Sequence, residues 1–398
     1  MKEKKKLLFV IPTLRIGGAE KALVTLLKAL DPKRFDVDLF LFERGGELEG
    51  DVPEWVTILP ENKITRAMTL EIRYYFRDLL RERRFAAASR RLGITFRAAL
   101  RSKLHKKPRF SWTTVSRHVD PLPDRYDTAI GFLEGVTDFF VLDKVEADKK
   151  IGWIHTDFSK RVILPEDISY YCRFDKIATI SPACKAAFET AVPGTCGRVF
   201  VVENLVLPED VRARAEEPIP IAWDKNVQHL ITLGRLETVK GIDLAIRASR
   251  ILVDKDIPIQ WHVFGEGSKK EMLEQMIDEL CLQDCFILEG TTPNPLPFLK
   301  AADVFVQPSR QEGKSIALDE AKLLGKAIVA TNYLSVEDQI VNNETGVITG
   351  MEPKQIADGI EKVLSDPALR CRLESNCRQL ESPHSQILEK FYGLLDES

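Results

Sequence analysis

Long hydrophobic runs are missing from this sequence of 398 residues. No stretch reaches the roughly 18 consecutive apolar residues that a transmembrane helix needs, so we expect no membrane-spanning segment. Lysines precede an apolar stretch at the N-terminus, as in a signal peptide, but that stretch, Leu7–Pro12, is too short and leads into a Gly-Gly turn. We therefore interpret Leu7–Pro12 as a first β-strand and expect a cytoplasmic protein.

Cysteine is scarce, and its spacing excludes the common structural frameworks. The seven cysteines are odd in number and scattered, without a Cys-x-x-Cys pair, and Cys281/Cys285 and Cys371/Cys377 lack zinc spacing. Reduced thiols are typical of cytoplasmic proteins, and we expect the seven cysteines to be reduced.

The small net charge of −3 conceals a strongly basic segment. Residues Lys63 to Arg117 contain 16 Lys and Arg against three acids, so this segment carries +13 and the rest of the chain −16. Within it, Arg66–Arg101 has the pattern of one or two amphipathic helices. Such helices can lie on an anionic membrane or pack on their own domain. We expect no nucleic-acid binding, because no recognised motif accompanies the charge.

Short apolar runs alternate with helical patterns along most of the chain, which predicts an α/β fold. Many of the runs are continuous rather than alternating, as in parallel strands covered on both faces. The predicted strands are Leu7–Pro12, Val37–Phe42, Tyr126–Phe132, Lys150–His155, Lys176–Ser181, Val199–Asn204, His229–Gly234, Ile259–Gly265, Cys285–Gly290, Asp303–Ser309, Ala327–Asn332 and Gly346–Thr349. Helices such as Ala19–Leu30 and Lys270–Leu282 complete the βαβ units.

The length of the chain predicts more than one domain. A stretch rich in proline and charge, Leu207–Lys225, is the expected linker between two doubly wound, Rossmann-like parallel-sheet domains that face a central cleft. The predicted domains are residues 1–207, with the basic insertion at about 63–117, and residues 208–383. Ligands of such sheets bind beyond the carboxyl ends of the strands, where the motifs described next are found.

Gly17 and Gly18 follow the first predicted strand and precede a helix. They let the backbone approach a ligand closely, and the helix N-terminus directs free N–H groups to the same place. Any strand-to-helix turn can also use such a pair.

Arg235 and Lys240 surround a turn after another predicted strand. A planar guanidinium and a compact ammonium together suit a pyrophosphate. The alternative is two solvated cations at a helix start, which the helix dipole disfavours.

The segment "SRQEGKSIALDE" places Glu312 and Glu320 eight residues apart. In one continuous helix their carboxylates would point roughly 80° apart. We therefore expect a bend at Gly313 and a helix that begins near Ser315–Ala317. The N–H groups of Ser315, Ile316 and Ala317 would hold phosphates, and the two carboxylates would accept hydrogen bonds from sugar hydroxyls. An acidic helix start favoured by the dipole is the alternative.

His155 ends a predicted strand beside Thr156 and Asp157. This position places it at the rim of the expected cleft, although a lone histidine is more often structural.

In combination and in order, these segments resemble the family 4 retaining glycosyltransferases, which have the GT-B fold. The matching segments are "GGAEKAL", "WIHTDF", "GRLETVKG", "FGEGSKKEML" and "ADVFVQPSRQEGKSIALDEA". The last contains the family's E-x7-E motif. The resemblance covers roughly residues 5–50 and 125–380. Lys314 departs from the family, whose members often carry an aromatic or aliphatic residue there, and is similar to some capsule and surface-polysaccharide enzymes.

The resemblance implies a role for each residue. His155 and Glu312 would act at the transferred sugar, Glu320 would bind the ribose, and Gly17 and Gly18 would line the phosphate and acceptor side. The implied donor site consists of Arg235, Lys240, Gly265, Lys314, Ser315, Ile316, Ala317 and Glu320. A C-terminal helix at about 384–395 would cross back onto the first domain.

The implied activity is transfer of a hexose-type sugar, with retention, from a nucleotide-sugar to a lipid-linked or growing surface glycan. The resemblance implies that this reaction needs neither a metal nor a cofactor. UDP is the expected nucleotide. The enzyme would be peripheral on the inner face of the cell membrane, bound through Arg66–Arg101. The alternatives are a nucleotide-sugar epimerase of the same fold and a catalytically silent subunit that binds a glycan lipid.

Overall fold

The computed structural model describes residues 4–62, 65–66, 112, 116–161, 163–219 and 223–396. The amphipathic helices predicted for Arg66–Arg101 lie outside the described residues, apart from Arg66. The surface role of this segment therefore stays a prediction.

The first sheet has seven parallel strands in the order β3-β2-β1-β4-β5-β6-β7. They are β1 (Lys5–Ile11), β2 (Phe35–Leu41), β3 (Thr57–Ile58), β4 (Arg125–Gly131), β5 (Glu146–Ile154), β6 (Lys176–Thr179) and β7 (Val199–Val201). Residues 7–11 of β1 are fully buried, since β1 lies at the centre of the sheet with neighbours on both sides.

The second sheet has six parallel strands in the order β10-β9-β8-β11-β12-β13. They are β8 (Gln228–Leu233), β9 (Ile259–Phe264), β10 (Phe286–Gly290), β11 (Val304–Gln307), β12 (Ala327–Thr331) and β13 (Val347–Thr349). Successive residues of these strands pack into different hydrophobic clusters. Leu230 and Val304 belong to one, Ile231 and Phe305 to the other. Both faces are therefore covered, as the continuous apolar runs predict.

The twelve strands predicted from the sequence are confirmed, with ends that differ by a few residues. The sequence analysis missed β3, because two residues are too few to form a recognisable pattern. No pair of neighbouring strands with a defined register is antiparallel in the described part of the chain, in agreement with the predicted doubly wound fold.

Helices connect the strands. Among the described residues they are α1 (Gly18–Ala29), α2 (Val136–Lys144), α3 (Pro165–Tyr171), α4 (Pro182–Ala191), α5 (Pro208–Ala215), α6 (Ile242–Asp254), α7 (Lys270–Glu279), α8 (Leu296–Ala301), α9 (Ile316–Leu323), α10 (Pro353–Ser365), α11 (Pro367–Gln379) and α12 (His384–Asp396). Helix α7 ends before the predicted Leu282, because Cys281 adopts a left-handed φ of 51°. Within the described ranges, no helix combines the length and apolar character needed to cross a membrane.

The predicted linker Leu207–Lys225 contains a helix, α5, which corrects the expectation of an irregular segment. Pro208 lies in its first turn, acids precede arginines along it, and Val211 and Ala215 pack into the core of the second sheet. Proline in the first turn and this order of charges favour a helix. Only these two apolar side chains pack into that core, so the helical periodicity of the sequence was too weak to predict α5.

The chain divides into two compact units, one around each sheet. The second unit also contains residues 155–161, helix α4 and helix α12. The predicted domains 1–207 and 208–383 and the predicted docking of residues 384–395 on the first domain stay predictions.

The strand order reverses once in each sheet, between β1 and β4 and between β8 and β11. In open parallel sheets, ligands bind beside the carboxyl ends of the two strands at such a reversal. In the second sheet these ends lead into the loops that carry Arg235 and Glu312.

Candidate functional site

The carboxylate of Glu312 lies at the centre of a buried polar cluster that follows β11. Its Oε1 atom accepts hydrogen bonds from Lys240 Nζ at 2.7 Å, Gln307 Nε2 at 2.8 Å and Ser309 Oγ at 2.6 Å. Lys240 Nζ also donates to Oε2 at 2.9 Å. The side chain of Glu312 is only 9% exposed, so these donors take the place of water around the carboxylate. The cluster fixes the carboxylate in one orientation.

The loop that carries Glu312 is fixed at its other end by Gln339. This side chain accepts a hydrogen bond from Ser315 N–H at 2.9 Å and donates to the Ser315 carbonyl at 2.8 Å. Ser315 Oγ donates to Gln307 Oε1 at 2.9 Å and accepts from Leu318 N–H at 3.2 Å, which makes Ser315 the N-cap of α9. The strand, the loop and the helix start are thus linked by side-chain hydrogen bonds.

The turn that carries Lys240 is held by Arg310. The guanidinium of Arg310 forms two 2.6 Å hydrogen bonds to the carboxylate of Asp243 and donates to the Thr238 carbonyl at 2.9 Å. Gly241 has a left-handed φ of 67°, and a Cβ at this position would lie 1.9 Å from the Pro308 carbonyl oxygen. Only glycine permits this close approach. The two loops at the strand reversal therefore pack directly against each other.

His155 and the Glu312 loop are in direct contact. A Cβ on Gly313 would lie 2.2 Å from the carbonyl oxygen of His155 and 2.8 Å from Ile180 Cδ1. Gly313 does not have a positive φ, so it is required for close packing rather than for a special turn. Gln311 Nε2 also donates to the Asp157 carbonyl at 2.9 Å. The structure brings together the two segments for which the sequence predicted catalytic residues.

The E-x7-E motif has the predicted local structure. Glu312 lies in the loop, α9 begins at Ile316, and Glu320 lies within α9 and is buried. One of the three predicted phosphate-binding amides has another partner, because Ser315 N–H binds Gln339. The N–H groups of Ile316 and Ala317, the first two residues of the helix, have no intrahelical acceptor. Their binding to phosphate stays a prediction, as does that of ribose to Glu320.

Arg235 is exposed, and its side chain forms no hydrogen bond or ion pair within the described part of the chain. The next turn is held by Glu237, which accepts hydrogen bonds from Ser268 N–H at 2.9 Å and Ser268 Oγ at 3.0 Å. The N–H bond is the main reason why the pKa of Glu237 lies below its usual value. Gly265 also packs here, since a Cβ would lie 2.0 Å from the Gly234 carbonyl oxygen. A rigid loop therefore presents an available guanidinium.

Lys314 has a partner that the sequence did not predict. Its ammonium lies 2.8 Å from Glu203 Oε1, and its side chain is only 7% exposed. This pairing does not support the predicted donor contact of Lys314, which stays a prediction.

Gly17 and Gly18 lie where β1 leads into α1. A Cβ on Gly17 would meet the carboxylate of Glu20 at 2.1 Å, whereas a Cβ on Gly18 would have no neighbour within 4 Å. The space beside Gly18 is open, as a ligand-lining position requires. The carboxylate of Glu20 covers part of the helix start where an anion was expected.

Sequence analysis missed four residues that build the site: Gln307, Ser309, Arg310 and Glu203. A signal existed for Gln307 and Ser309, which are polar residues at the end of an otherwise apolar run. None existed for Glu203 or for the Arg310–Asp243 pair, because their partners are distant in sequence. In the described ranges, His, Cys, Asp and Glu do not gather in a group of three that could hold a metal. The expected metal independence stays a prediction.

One family model matches a segment of the second half of the chain. Residues 213–380 match the model of a family described as glycosyl transferases group 1. The poly(ribitol-phosphate) alpha-N-acetylglucosaminyltransferase of Staphylococcus aureus (strain COL) is 28% identical over 202 residues, which are 50% of this chain and 40% of the relative. The capsular polysaccharide biosynthesis glycosyltransferase CapM of Staphylococcus aureus is 31% identical over 150 residues, 37% of this chain and 39% of the relative. The matched segment thus spans about two fifths of the length of these relatives.

Solved structures share the fold over almost the whole chain. The S. aureus TarM G117R mutant, in complex with fondaparinux, alpha-GlcNAc-glycerol and UDP, has a TM-score of 0.68 at 15% identity and covers 99% of this chain and 100% of its own. HepE of Anabaena, in complex with UDP and glucose, has a TM-score of 0.68 at 16% identity, with 98% and 99% covered. The predicted GT-B fold is confirmed, and residues 213–380 of this chain match the group 1 glycosyl transferase model.

Proposed function

We propose that the protein is a retaining glycosyltransferase that moves a hexose-type sugar from a UDP-sugar to a lipid-linked or growing surface glycan. The observation that carries the proposal is the part-buried Glu312–Lys240 pair together with the exposed Arg235, in the loops at the strand reversal of the sheet that matches the family. One preoriented carboxylate and two cations suit a ligand that combines hydroxyl groups with a pyrophosphate.

The cations and the start of α9 would bind the pyrophosphate. Arg235 offers an exposed guanidinium that forms no ion pair within the described residues, and the N–H groups of Ile316 and Ala317 point out of the helix start. Negative charge develops on the pyrophosphate as the glycosidic bond breaks. Preoriented donors stabilise such charge more strongly in the transition state than in the ground state. These groups would therefore accelerate departure of the nucleotide.

Glu312 would hold the transferred sugar. Its Oε1 atom already accepts three hydrogen bonds, whereas Oε2 accepts one, from Lys240. A carboxylate oxygen with one donor retains a lone pair for a sugar hydroxyl. His155, whose backbone packs on Gly313, would lie near the reacting carbon, and Glu320 would bind the ribose. Retention would result from attack on the same face, with the leaving phosphate accepting the proton of the acceptor hydroxyl.

The acceptor class rests on the named relatives. One is named for poly(ribitol-phosphate) and another for capsular polysaccharide. A lipid-linked acceptor would lie at a membrane surface. The excess of 13 positive charges in residues 63–117 would favour binding to an anionic membrane.

Donor binding and reaction outcome test the proposal together. Thermal shift against UDP-, GDP- and CDP-hexoses should show stabilisation by UDP-sugars of about 2.7 kcal/mol at 100 times Kd. With the preferred donor and an octyl glycoside as a soluble acceptor, proton NMR should show a product with the anomeric configuration of the donor. Inversion would contradict retention. Absence of both a shift and nucleotide release with every donor would contradict the function.

Flotation with anionic vesicles tests the membrane role. The intact protein should float with the vesicles, and a variant with Arg81, Arg83, Arg84, Arg90 and Arg91 changed to Gln should float less. Each lost charge is worth about 1 kcal/mol near such a surface. Equal recovery of the two proteins would exclude this role.

A further inference from the structure

Glu203 holds two lysines from distant parts of the chain. Its Oε1 lies 2.8 Å from Lys314 Nζ, in the Glu312 loop, and its Oε2 lies 3.4 Å from Lys390 Nζ, in α12. The side chains of Lys314 and Glu203 are 7% and 21% exposed, whereas that of Lys390 is 50% exposed. The Lys314–Glu203 bond is therefore the shielded part of this triad.

Burial alone would raise the pKa of Glu203, but the nearby charge of Lys314, and less strongly that of Lys390, lowers it below its usual value. The carboxylate is thus ionised at neutral pH and needs its cation. Removal of one partner from a buried ion pair leaves the other charge uncompensated, which is strongly unfavourable.

The pair completes the fixation of the Glu312 loop. Ser335 Oγ donates to the Glu312 carbonyl at 3.1 Å, Cys184 Sγ lies 3.3 Å from the Gly313 carbonyl oxygen, and Ser315 is held by Gln339. Lys314 lies between these anchors, and its side chain adds an ionic contact with Glu203. The segment that follows β7 is thereby fastened to the loop at the candidate donor site.

We propose that Lys314 is a positioning residue that acts through Glu203, fixing the orientation of Glu312 and the start of α9, and does not itself contact the donor. The proposal rests on the proposed transferase function. It also explains why a lysine can occupy a position where the family often carries an apolar residue. Glu203 supplies the charge that makes a buried ammonium tolerable.

The test is a double-mutant cycle of Glu203→Gln and Lys314→Met. Glu203→Gln leaves the Lys314 ammonium buried without its partner and should lower kcat about 10- to 100-fold, the effect of displacing catalytic groups. Lys314→Met should cost less, about 10-fold, because Glu203 keeps Lys390. The double variant has no unpaired buried ammonium and should be more active than Glu203→Gln alone.

A direct donor contact predicts the opposite sign. Lys314→Met would then lower activity further in the Glu203→Gln background, and that result would overturn the proposal. Lys322→Met is the matched control, because Lys322 lies in α9 and pairs with Asp319 at 3.5 Å, not with Glu203. It should change kcat less than about 3-fold.

Hydrogen exchange provides a readout that does not depend on activity. The amides of residues 312–319 should exchange faster in Glu203→Gln and Lys314→Met than in the wild type, while those of β8 and β9 stay protected. If the pair only stabilised the fold, its loss would lower Tm and accelerate exchange throughout the unit. It would leave kcat unchanged under conditions where the protein is folded. That pattern would contradict the proposal. If the wild-type protein showed no turnover with any donor, the proposed transferase function would be overturned. Hydrogen exchange would still test whether the Lys314–Glu203 pair fixes the loop.

Discussion

Two loops occupy equivalent places in the two sheets, and they are built in opposite ways. Residues 12–17 connect β1 to α1, residues 308–315 connect β11 to α9, and both follow a strand at the reversal of strand order. In the first loop only Leu14 is buried. In the second, most residues are buried, including the polar residues Ser309, Glu312 and Ser315.

The first loop is held by exposed contacts. Arg15 pairs with Glu43 at 2.9 Å with its side chain 62% exposed, and Ile16 N–H binds Glu47 at 3.2 Å. Exposed ion pairs contribute little to stability. The second loop has buried donors and acceptors, which must be satisfied within the protein. The contrast indicates that the second loop is organised before a ligand arrives, whereas the first leaves open space.

The largest effect that would sharpen this comparison is expected for Glu312→Gln. The substitution keeps the size of the side chain but removes the charge that Lys240 binds. We expect kcat/KM to fall by about 10³-fold, equivalent to about 4 kcal/mol. Steady-state kinetics with the preferred donor measures this. Activity near that of the wild type would contradict the assignment of the site.

Gly313→Ala and Gly18→Ala form a matched pair. A Cβ on Gly313 would lie 2.2 Å from the His155 carbonyl oxygen, whereas a Cβ on Gly18 would meet no atom within 4 Å. Overpacking should therefore cost Gly313→Ala about 1–3 kcal/mol of unfolding free energy. Gly18→Ala should stabilise by up to about 1 kcal/mol, since alanine restricts the unfolded chain. Urea denaturation measures both, and equal effects would mean that the loops do not differ in packing.

Arg310→Lys tests the clamp on the Lys240 turn. Lysine keeps the charge but cannot form the paired bonds to Asp243 together with the bond to Thr238. Because both side chains of the ion pair are partly exposed, we expect a loss of about 1 kcal/mol of stability. Lys240 should also become less well positioned, so donor KM should rise. An unchanged KM would show that the turn is fixed without Arg310.

The smallest effect is expected in the pH dependence of stability. Because the pKa of Glu203 is lower in the folded protein than in the unfolded chain, its contribution is present above the unfolded value and is lost as pH falls through the folded value. Glu203→Gln should therefore reduce stability at neutral pH and make its decline in acid less steep. Urea titrations from neutral pH to below pH 4 would reveal parallel curves if Glu203 did not contribute.

Much of the fold was predictable because each strand shows its own local pattern. Apolar runs identified twelve strands, and the spacing of Glu312 and Glu320 separated a loop from a helix. The weakly patterned elements, β3 and α5, were missed. We expected a glycine at position 313 because the backbone was predicted to bend there. The structure shows instead that a Cβ at this position would collide with the carbonyl oxygen of His155.

The sequence by itself determined the parallel sheets and the loops at the carboxyl ends of their strands. It also carried the resemblance to glycosyltransferases, which agrees with the family match of residues 213–380. All of these depend on residues that are close along the chain. Only the tertiary structure decided which charges meet. It paired Lys240 with Glu312 across 72 positions and Lys314 with Glu203 across 111. Such pairs leave no local pattern, because a buried ammonium or carboxylate is recognisable only when its partner is folded against it.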